Sequence, residues 1–269
     1  MTLGIFDSGL GGLLTARYIR AFAPVVRILY YGDTAHLPYG DKSPRQVQAY
    51  AREIVRFLLE AGAEGVVVAC NTASAVAREV IHREARGRPV WDAITATLQQ
   101  FAVEPPAFPI GVIGTYTTIR SGIYGEAIRA RWPGAQVAEL ATPLLVPLIE
   151  EGFADHPATR LILETYLSDP RLRGIEGLLL ACTHYPLVLN AIEAYYAQRG
   201  HSCRLYNSAE LLARAVVMNL PEATSSASGE DKFWVSDYTE RFALLAARFW
   251  GGPIPLQKAP AFAGGEMSG

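Results

Sequence analysis

Along this chain, short and almost wholly apolar runs alternate with longer stretches whose apolar positions recur every three or four residues. Runs of the first kind read as buried parallel strands, and stretches of the second as amphipathic helices packed on them. The pattern predicts strands at Leu3 to Phe6, Arg27 to Tyr31, Val66 to Cys70, Pro89 to Trp91, Ile110 to Ile113, Gln136 to Glu139, Leu178 to Cys182, Arg204 to Tyr206 and Phe233 to Ser236. It predicts helices from Leu13 to Phe22, from Pro44 to Ala61 behind a Ser43 cap, from Ala73 to Glu84, and up to Phe101. Further helices follow Ser121 and cover Leu144 to Glu151, Pro157 to Leu167, Leu187 to Gln198, Ser208 to Asn219 and Glu240 to Phe249. Strands and helices alternating in this way define the α/β class. A loop from Glu222 to Asp231 is expected to be disordered, and the tail from Gly251 to be loosely ordered.

The pattern is also written twice. Val66-Val67-Val68-Ala69-Cys70-Asn71-Thr72 and Leu178-Leu179-Leu180-Ala181-Cys182-Thr183-His184 are both apolar runs ending in Ala-Cys and two polar residues. Gly4-Ile5-Phe6-Asp7-Ser8-Gly9 has its counterpart in Gly111-Val112-Ile113-Gly114-Thr115-Tyr116, at nearly the same offset. A repeat of this kind predicts two pseudo-symmetric α/β domains with mainly parallel sheets facing a shared active-site cleft. Ligands of open α/β sheets bind at the carboxyl ends of the strands, so Cys70 and Cys182 become two reactive groups facing one pocket. The stretch Glu104-Pro105-Pro106 marks a crossing between the copies, and the last elements belong to neither. The expected division is residues 1–100 plus 205–269 for a first domain completed by the C-terminal segment, and 101–204 for the second.

Composition narrows the function. A length of 269 residues suits two modest domains, and a 50% hydrophobic share supports a full core. With 19% charged residues and a net charge of -2, there is no electrostatic reason to expect nucleic acid or an anionic membrane. No secretory signal and no membrane-spanning run is read, so a cytoplasmic protein acting on a small molecule is expected. Three cysteines cannot all pair, and two lie in the repeat, which favours reduced thiols. Cys70 stands alone and Cys182 to His184 is tighter than common zinc spacings, so no metal is expected. The loop after the first strand lacks the dinucleotide spacing, and Asp7 would repel a pyrophosphate. Taken singly, a Cys after an apolar strand fits an inert buried residue; the pairing argues for chemistry. Asp7 equally fits a helix cap, His184 a loop histidine, Tyr39 a packed aromatic, and Glu150 with Glu151 a solvated helix end.

Five ordered stretches resemble the glutamate racemase family of the wider aspartate/glutamate racemase group: Gly4 to Gly12, Tyr31 to Gly40 (Tyr-Gly-Asp-Thr-Ala-His-Leu-Pro-Tyr-Gly), Ala69 to Ser74, Pro147 to Gly152, and Cys182 to Leu187. The resemblance implies a cofactor-free racemase, a homodimer, that interconverts L- and D-glutamate and supplies D-glutamate for peptidoglycan. Carried over by position, Cys70 and Cys182 are the paired acid and base, Asp7 and His184 their partners, and Glu150 a weaker helper. Substrate contacts would come from Asp7, Ser8, Tyr39, Gly40, Asn71, Thr72, Thr183 and His184. Two departures stand out: Trp91-Asp92-Ala93-Ile94 replaces a usual Glu-Pro-Gly run, and Thr117 replaces a usual small Gly.

The chemistry needs two groups. Inverting an α-carbon requires taking a weakly acidic proton from one face and delivering one to the other, and one base does not readily reach both. A thiolate on one side and a thiol on the other meet that need, with roles reversed for the opposite direction. Without a metal or pyridoxal to absorb charge, backbone N–H groups and hydroxyls at Ser8, Asn71, Thr72 and Thr183 would stabilise the substrate carboxylate. Cys203 lies outside the repeat and is expected to be structural. Rival readings are a racemase for aspartate or a hydantoin, a binding protein such as a gyrase inhibitor, and a dithiol redox protein, the last disfavoured by the absence of Cys-x-x-Cys.

Overall fold

The computed structural model describes residues 1–220 and 229–260. Among these, ten strands form two wholly parallel sheets. The first contains β1 (Thr2–Asp7), β2 (Arg27–Gly32), β3 (Gly65–Val68), β4 (Val90–Asp92), β9 (Lys232–Val235) and β10 (Leu256–Lys258). The second contains β5 (Ile110–Gly114), β6 (Val137–Ala141), β7 (Gly177–Ala181) and β8 (Arg204–Asn207). Their orders are β10-β9-β2-β1-β3-β4 and β6-β5-β7-β8. Without the two C-terminal strands the orders coincide, so β1 matches β5 and the Cys70 strand matches the Cys182 strand.

Side-chain alternation assigns each strand's faces. Leu3, Ile5, Ile28, Tyr30 and Val67 of the first sheet share one core with Ile113, Leu178 and Leu180 of the second. Phe6, Leu29, Tyr31, Val66 and Val68 turn the other way, under Val47, Ala51, Ile54, Val55 and Leu58 of α2 (Pro44–Glu60). Ser43 and Gln46 close the start of α2 with a reciprocal capping box, a cap of about 1 kcal/mol. The remaining long helices are α1 (Gly12–Phe22), α5 (Ala93–Val103), α7 (Ile123–Arg131), α9 (Pro157–Leu167), α10 (Leu189–Ala197), α11 (Ser208–Met218) and α12 (Glu240–Trp250).

The helices after the two edge strands change sides. α5 follows β4, yet its Ile94 and Phe101 pack with Ile110, Val112 and Leu179 of the second sheet. α11 follows β8, yet it lies along α1 and α5. Asp92 and Asn207 cap these two helices from matching strand ends. Asp92, one of the departures noted above, accepts from the N–H groups of Ile94 and Thr95 at 3.1 and 2.8 Å, which explains an acid at that position.

Several expectations need correction. The helix expected from Ala73 to Glu84 is two: α3 (Asn71–Val76) starts directly after Cys70, and α4 (Arg78–Glu84) follows a break at Ala77. The Gln48 amide takes the Val76 carbonyl at 2.8 Å, which draws it out of the helical ladder. Before the helix expected after Ser121 stands a short α6 (Tyr116–Arg120), capped by the Thr115 hydroxyl, and Gly122 at φ 67 admits the turn into α7. β8 pairs with β7, Leu178 opposite Leu205, so the strand that the division at residues 204 and 205 cuts lies whole in the second sheet. The tail is not uniformly loose, because β10 adds to β9 and the Ala259 N–H donates to the Val235 carbonyl at 2.8 Å. Of the loop expected to be disordered, residues 222–228 lie outside the described ones. At its end, Asp231 accepts from the Ile28 N–H at 2.8 Å and pairs with Arg20 at 2.5 Å. Among the described residues no helix is long and apolar enough to cross a membrane.

Candidate active site

Both thiols end their strands at the same buried cavity, of about 20 Å³, between the carboxyl ends of the two sheets. Ser8, Tyr39, Gly40, Asn71, Thr72, Thr183 and His184 line it with them. Glycine makes the approach of the two halves possible. A Cβ on Gly11 would lie 2.4 Å from the Thr183 hydroxyl and 2.7 Å from His184 Nδ1, and one on Gly40 would lie 2.7 Å from the Thr115 Cβ. The residues after β1 and β2 thus press directly on the other half's loops.

On the Cys70 side, the sulfur accepts from the Ala73 N–H at 3.4 Å and so caps α3. Burial, with the Asp7 carboxyl as the next cause, pushes the thiol up to about 12, against hydrogen bonds from Ala73 and Ser8. Asp7 is fully buried at the end of β1. Burial raises its carboxyl above the usual range, opposed by nearby His184, the N–H groups of Gly12 and Gly9, and the Thr183 hydroxyl. The Thr183 hydroxyl donates to Asp7 Oδ1 at 3.2 Å, so the carboxyl nearest Cys70 is tied to the opposite loop.

On the Cys182 side, the sulfur faces His184 Nδ1 at 4.0 Å, and His184 Nε2 meets Glu150 Oε1 at 3.0 Å. Burial works to lower the imidazole's proton affinity, but the hydrogen bonds with Cys182 and Glu150 hold it well above its ordinary value. Glu150 ends α8 (Leu145–Glu150). Like Asp7, it stands behind the cavity wall and acts on a residue that lines it.

Of the side chains expected to bind substrate, three have their polar atoms committed elsewhere. The Tyr39 hydroxyl donates to Asp33 Oδ2 at 2.5 Å, and Asn71 holds the Tyr124 hydroxyl at 2.6 Å and the Ser208 hydroxyl at 3.2 Å. Thr72 joins a hydroxyl cluster with Thr115 at 3.0 Å and Thr118 at 3.2 Å. At Asn71 and Thr72 the atoms suited to an anion are therefore backbone N–H groups in the first turn of α3. Thr115 and Val146 also line the cavity and were missed in the sequence. The repeat held the signal for Thr115, which stands after β5 as Ser8 stands after β1. Thr117 donates to the Gly40 carbonyl at 2.7 Å, which gives its hydroxyl a use at the rim that a glycine would lack.

The two thiols meet at one cavity from matching strand ends of opposite sheets. The Asp/Glu/Hydantoin racemase profile matches residues 14–216, and the chain belongs to that family. It is an amino-acid racemase, and its likeness to glutamate racemases runs from end to end. The glutamate racemase of Syntrophus aciditrophicus (strain SB) is 39% identical over 257 residues, 94% of either chain. That of Chlorobaculum tepidum is 39% identical over 262 residues, 94% of this chain and 93% of the other. The crystal structure of glutamate racemase from Francisella tularensis subsp. tularensis SCHU S4 in complex with D-glutamate superposes with a TM-score of 0.86 at 29% identity, covering 96% of this chain and 97% of that one.

Proposed function

We propose that this racemase interconverts L- and D-glutamate by proton transfer between Cys70 and Cys182 across the substrate α-carbon, with no cofactor. The observation that carries the reading is the presence of both thiols, from matching strand ends, on the wall of one cavity. His184 is the base that takes the Cys182 proton, and Glu150 holds the resulting imidazolium. Cys70, buried and beside Asp7, rests as the neutral thiol and delivers a proton to the opposite face. For the reverse direction the roles exchange, with Asp7 as the neighbouring acceptor. The negative charge that develops on the substrate is met by the backbone N–H groups opening α3. A cavity of about 20 Å³ holds roughly one water, so the two halves part to admit substrate and close over it. D-glutamate made in the cytoplasm by such an enzyme, as a homodimer, would supply peptidoglycan synthesis.

Circular dichroism of L-glutamate and, separately, L-aspartate tests the reading, with enzyme freed of pyridoxal and treated with a chelator. Glutamate should lose its signal and aspartate hardly change, because the shorter side chain leaves buried donors unpaired. Equal rates on the two acids, or activity restored only by a divalent metal, would overturn it.

A further inference from the structure

The backbone that carries the carboxylate behind His184 is held by a helix that belongs to the other side of the molecule. α12 lies between β9 and β10 in the chain and packs on α1, but its arginines reach across to the turn that ends α8. Arg241 donates to the Glu150 carbonyl at 3.0 Å and pairs with the Glu151 carboxylate at 2.6 Å. Two helical turns further on, Arg248 donates to the Gly152 carbonyl at 3.1 Å and pairs with Asp155 at 2.7 Å. The same helix presents Phe249 edge-on to the His184 ring, at 5.3 Å between centroids and 83° between planes. One helix therefore grips the backbone beneath Glu150 and the face of the histidine that Glu150 contacts.

We propose that Arg241 and Arg248 are positioning residues for the Cys182 half of the reaction, setting the Glu150 carboxylate at hydrogen-bond distance from His184. The proposal rests on the two-thiol reading above. Both arginines are about half exposed, 55% and 42%, and exposed ion pairs contribute little to stability. Their removal therefore acts on the geometry of Glu150 more than on folding. Among the described residues no arginine braces the Cys70 side in this way: the Asp7 carboxyl accepts from the Thr183 hydroxyl of the opposite loop and from the Gly9 N–H of its own.

The two enantiomers of glutamate are equal in energy, so kcat/KM must change equally in both directions; the split has to be sought in the individual proton transfers. In Arg241→Ala, kcat/KM should fall roughly tenfold, short of the roughly 10²- to 10⁴-fold that a positioned acid or base supplies. The primary isotope effect with α-deuterated glutamate should rise for the enantiomer whose proton Cys182 takes, because abstraction becomes slower. It should fall for the other enantiomer, where slow delivery by Cys182 lets abstraction reverse. The first enantiomer is the one whose α-proton still exchanges with solvent in Cys70→Ser. Arg241→Lys, which keeps a donor, should show the same split on a smaller scale, and Arg248→Ala likewise. Isotope effects that move together or stay unchanged, or an Arg241→Ala enzyme as fast as its parent, would overturn the proposal while leaving the two-thiol mechanism standing. A parent that racemises no glutamate would bring down both.

Discussion

Cys70 and Cys182 stand at the same place in the same strand order, yet their surroundings differ in kind. Cys70 caps an α-helix and lies beside a buried carboxyl that discourages its ionisation. Cys182 opens into a 3₁₀ turn, Tyr185–Val188, and faces an imidazole braced by a glutamate. Strand order was duplicated, whereas the turn that follows each thiol and the partners that set its proton affinity were not. The lesson is that a symmetric reaction does not need a symmetric site. The surroundings favour a protonated Cys70 on one side and a protonated His184 beside Cys182 on the other, so under the proposed mechanism one enantiomer meets the resting arrangement and the other must first reverse it.

The comparison breaks most sharply if either thiol proves dispensable. Cys70→Ser and Cys182→Ser should each lose racemisation by roughly 10³-fold, within the range for a positioned acid or base. In deuterated water each variant should still exchange the α-proton of one enantiomer, and the two variants should differ in which one, as proton NMR would record. Exchange of the same enantiomer by both would mean that a single base does the work.

A step down in size, His184→Asn and Asp7→Asn should each slow turnover by roughly 10²-fold. The losses should fall on opposite directions when kcat is measured separately for L- and D-glutamate. Equal losses in kcat for both directions in both variants would remove the assignment of one partner to each thiol.

The same two groups leave different marks on stability as pH changes. The Asp7 carboxyl is raised above 3.8, so its ionisation costs the folded state more as pH rises from there. Asp7→Asn should therefore gain in Tm on the parent as pH rises above about 4, until the folded carboxyl itself ionises. His184 is raised above 6.5, so its contribution is complete below that value and is lost as pH rises through the folded value. The Tm advantage of the parent over His184→Asn should shrink in the alkaline range. Scanning fluorimetry across pH reads both, and a pH-independent difference in either case contradicts the environment described for that residue.

The smallest effect belongs to the third thiol. Cys203 is half-buried against Tyr196, with burial pushing it up to about 11, and it is remote from the cavity. Cys203→Ala should keep turnover within about twofold of the parent, as expected away from a functional feature. A loss comparable to that of Cys70→Ser would show that the wrong thiols had been paired.

Much of this site was legible in the chain because strand ends are local. An apolar run followed by Cys and a polar pair places a side chain at the carboxyl end of a sheet whatever the rest of the fold does, and the repeat says that there are two such places. The resemblance carried His184, Asp7 and Glu150. What the sequence did not disclose depends on how the halves dock. Asp7 bonds to Thr183 across the cleft, and Arg241 reaches Glu150 from α12. Neither of these pairs is fixed by spacing. The break at Ala77 was missed because its N–H and carbonyl keep their helical partners, Ala73 and Ile81, so the periodicity runs on across it, and α6 was missed because five residues are too few to show a period.

Because α5 closes the sheet of the other half and α11 lies along α1, neither half is a self-sufficient folding unit. A nascent chain that has completed β4 holds Cys70 in an unfinished sheet, still lacking α11, β9 and β10. The first sheet gains its last strand only when Leu256–Lys258 has been made. Synthesis therefore delivers the thiols separately and brings them together late, in one cooperative step that also buries the faces on which each half depends. A break that loosens either exchanged helix would be felt in both sheets at once, as unfolding of the whole enzyme.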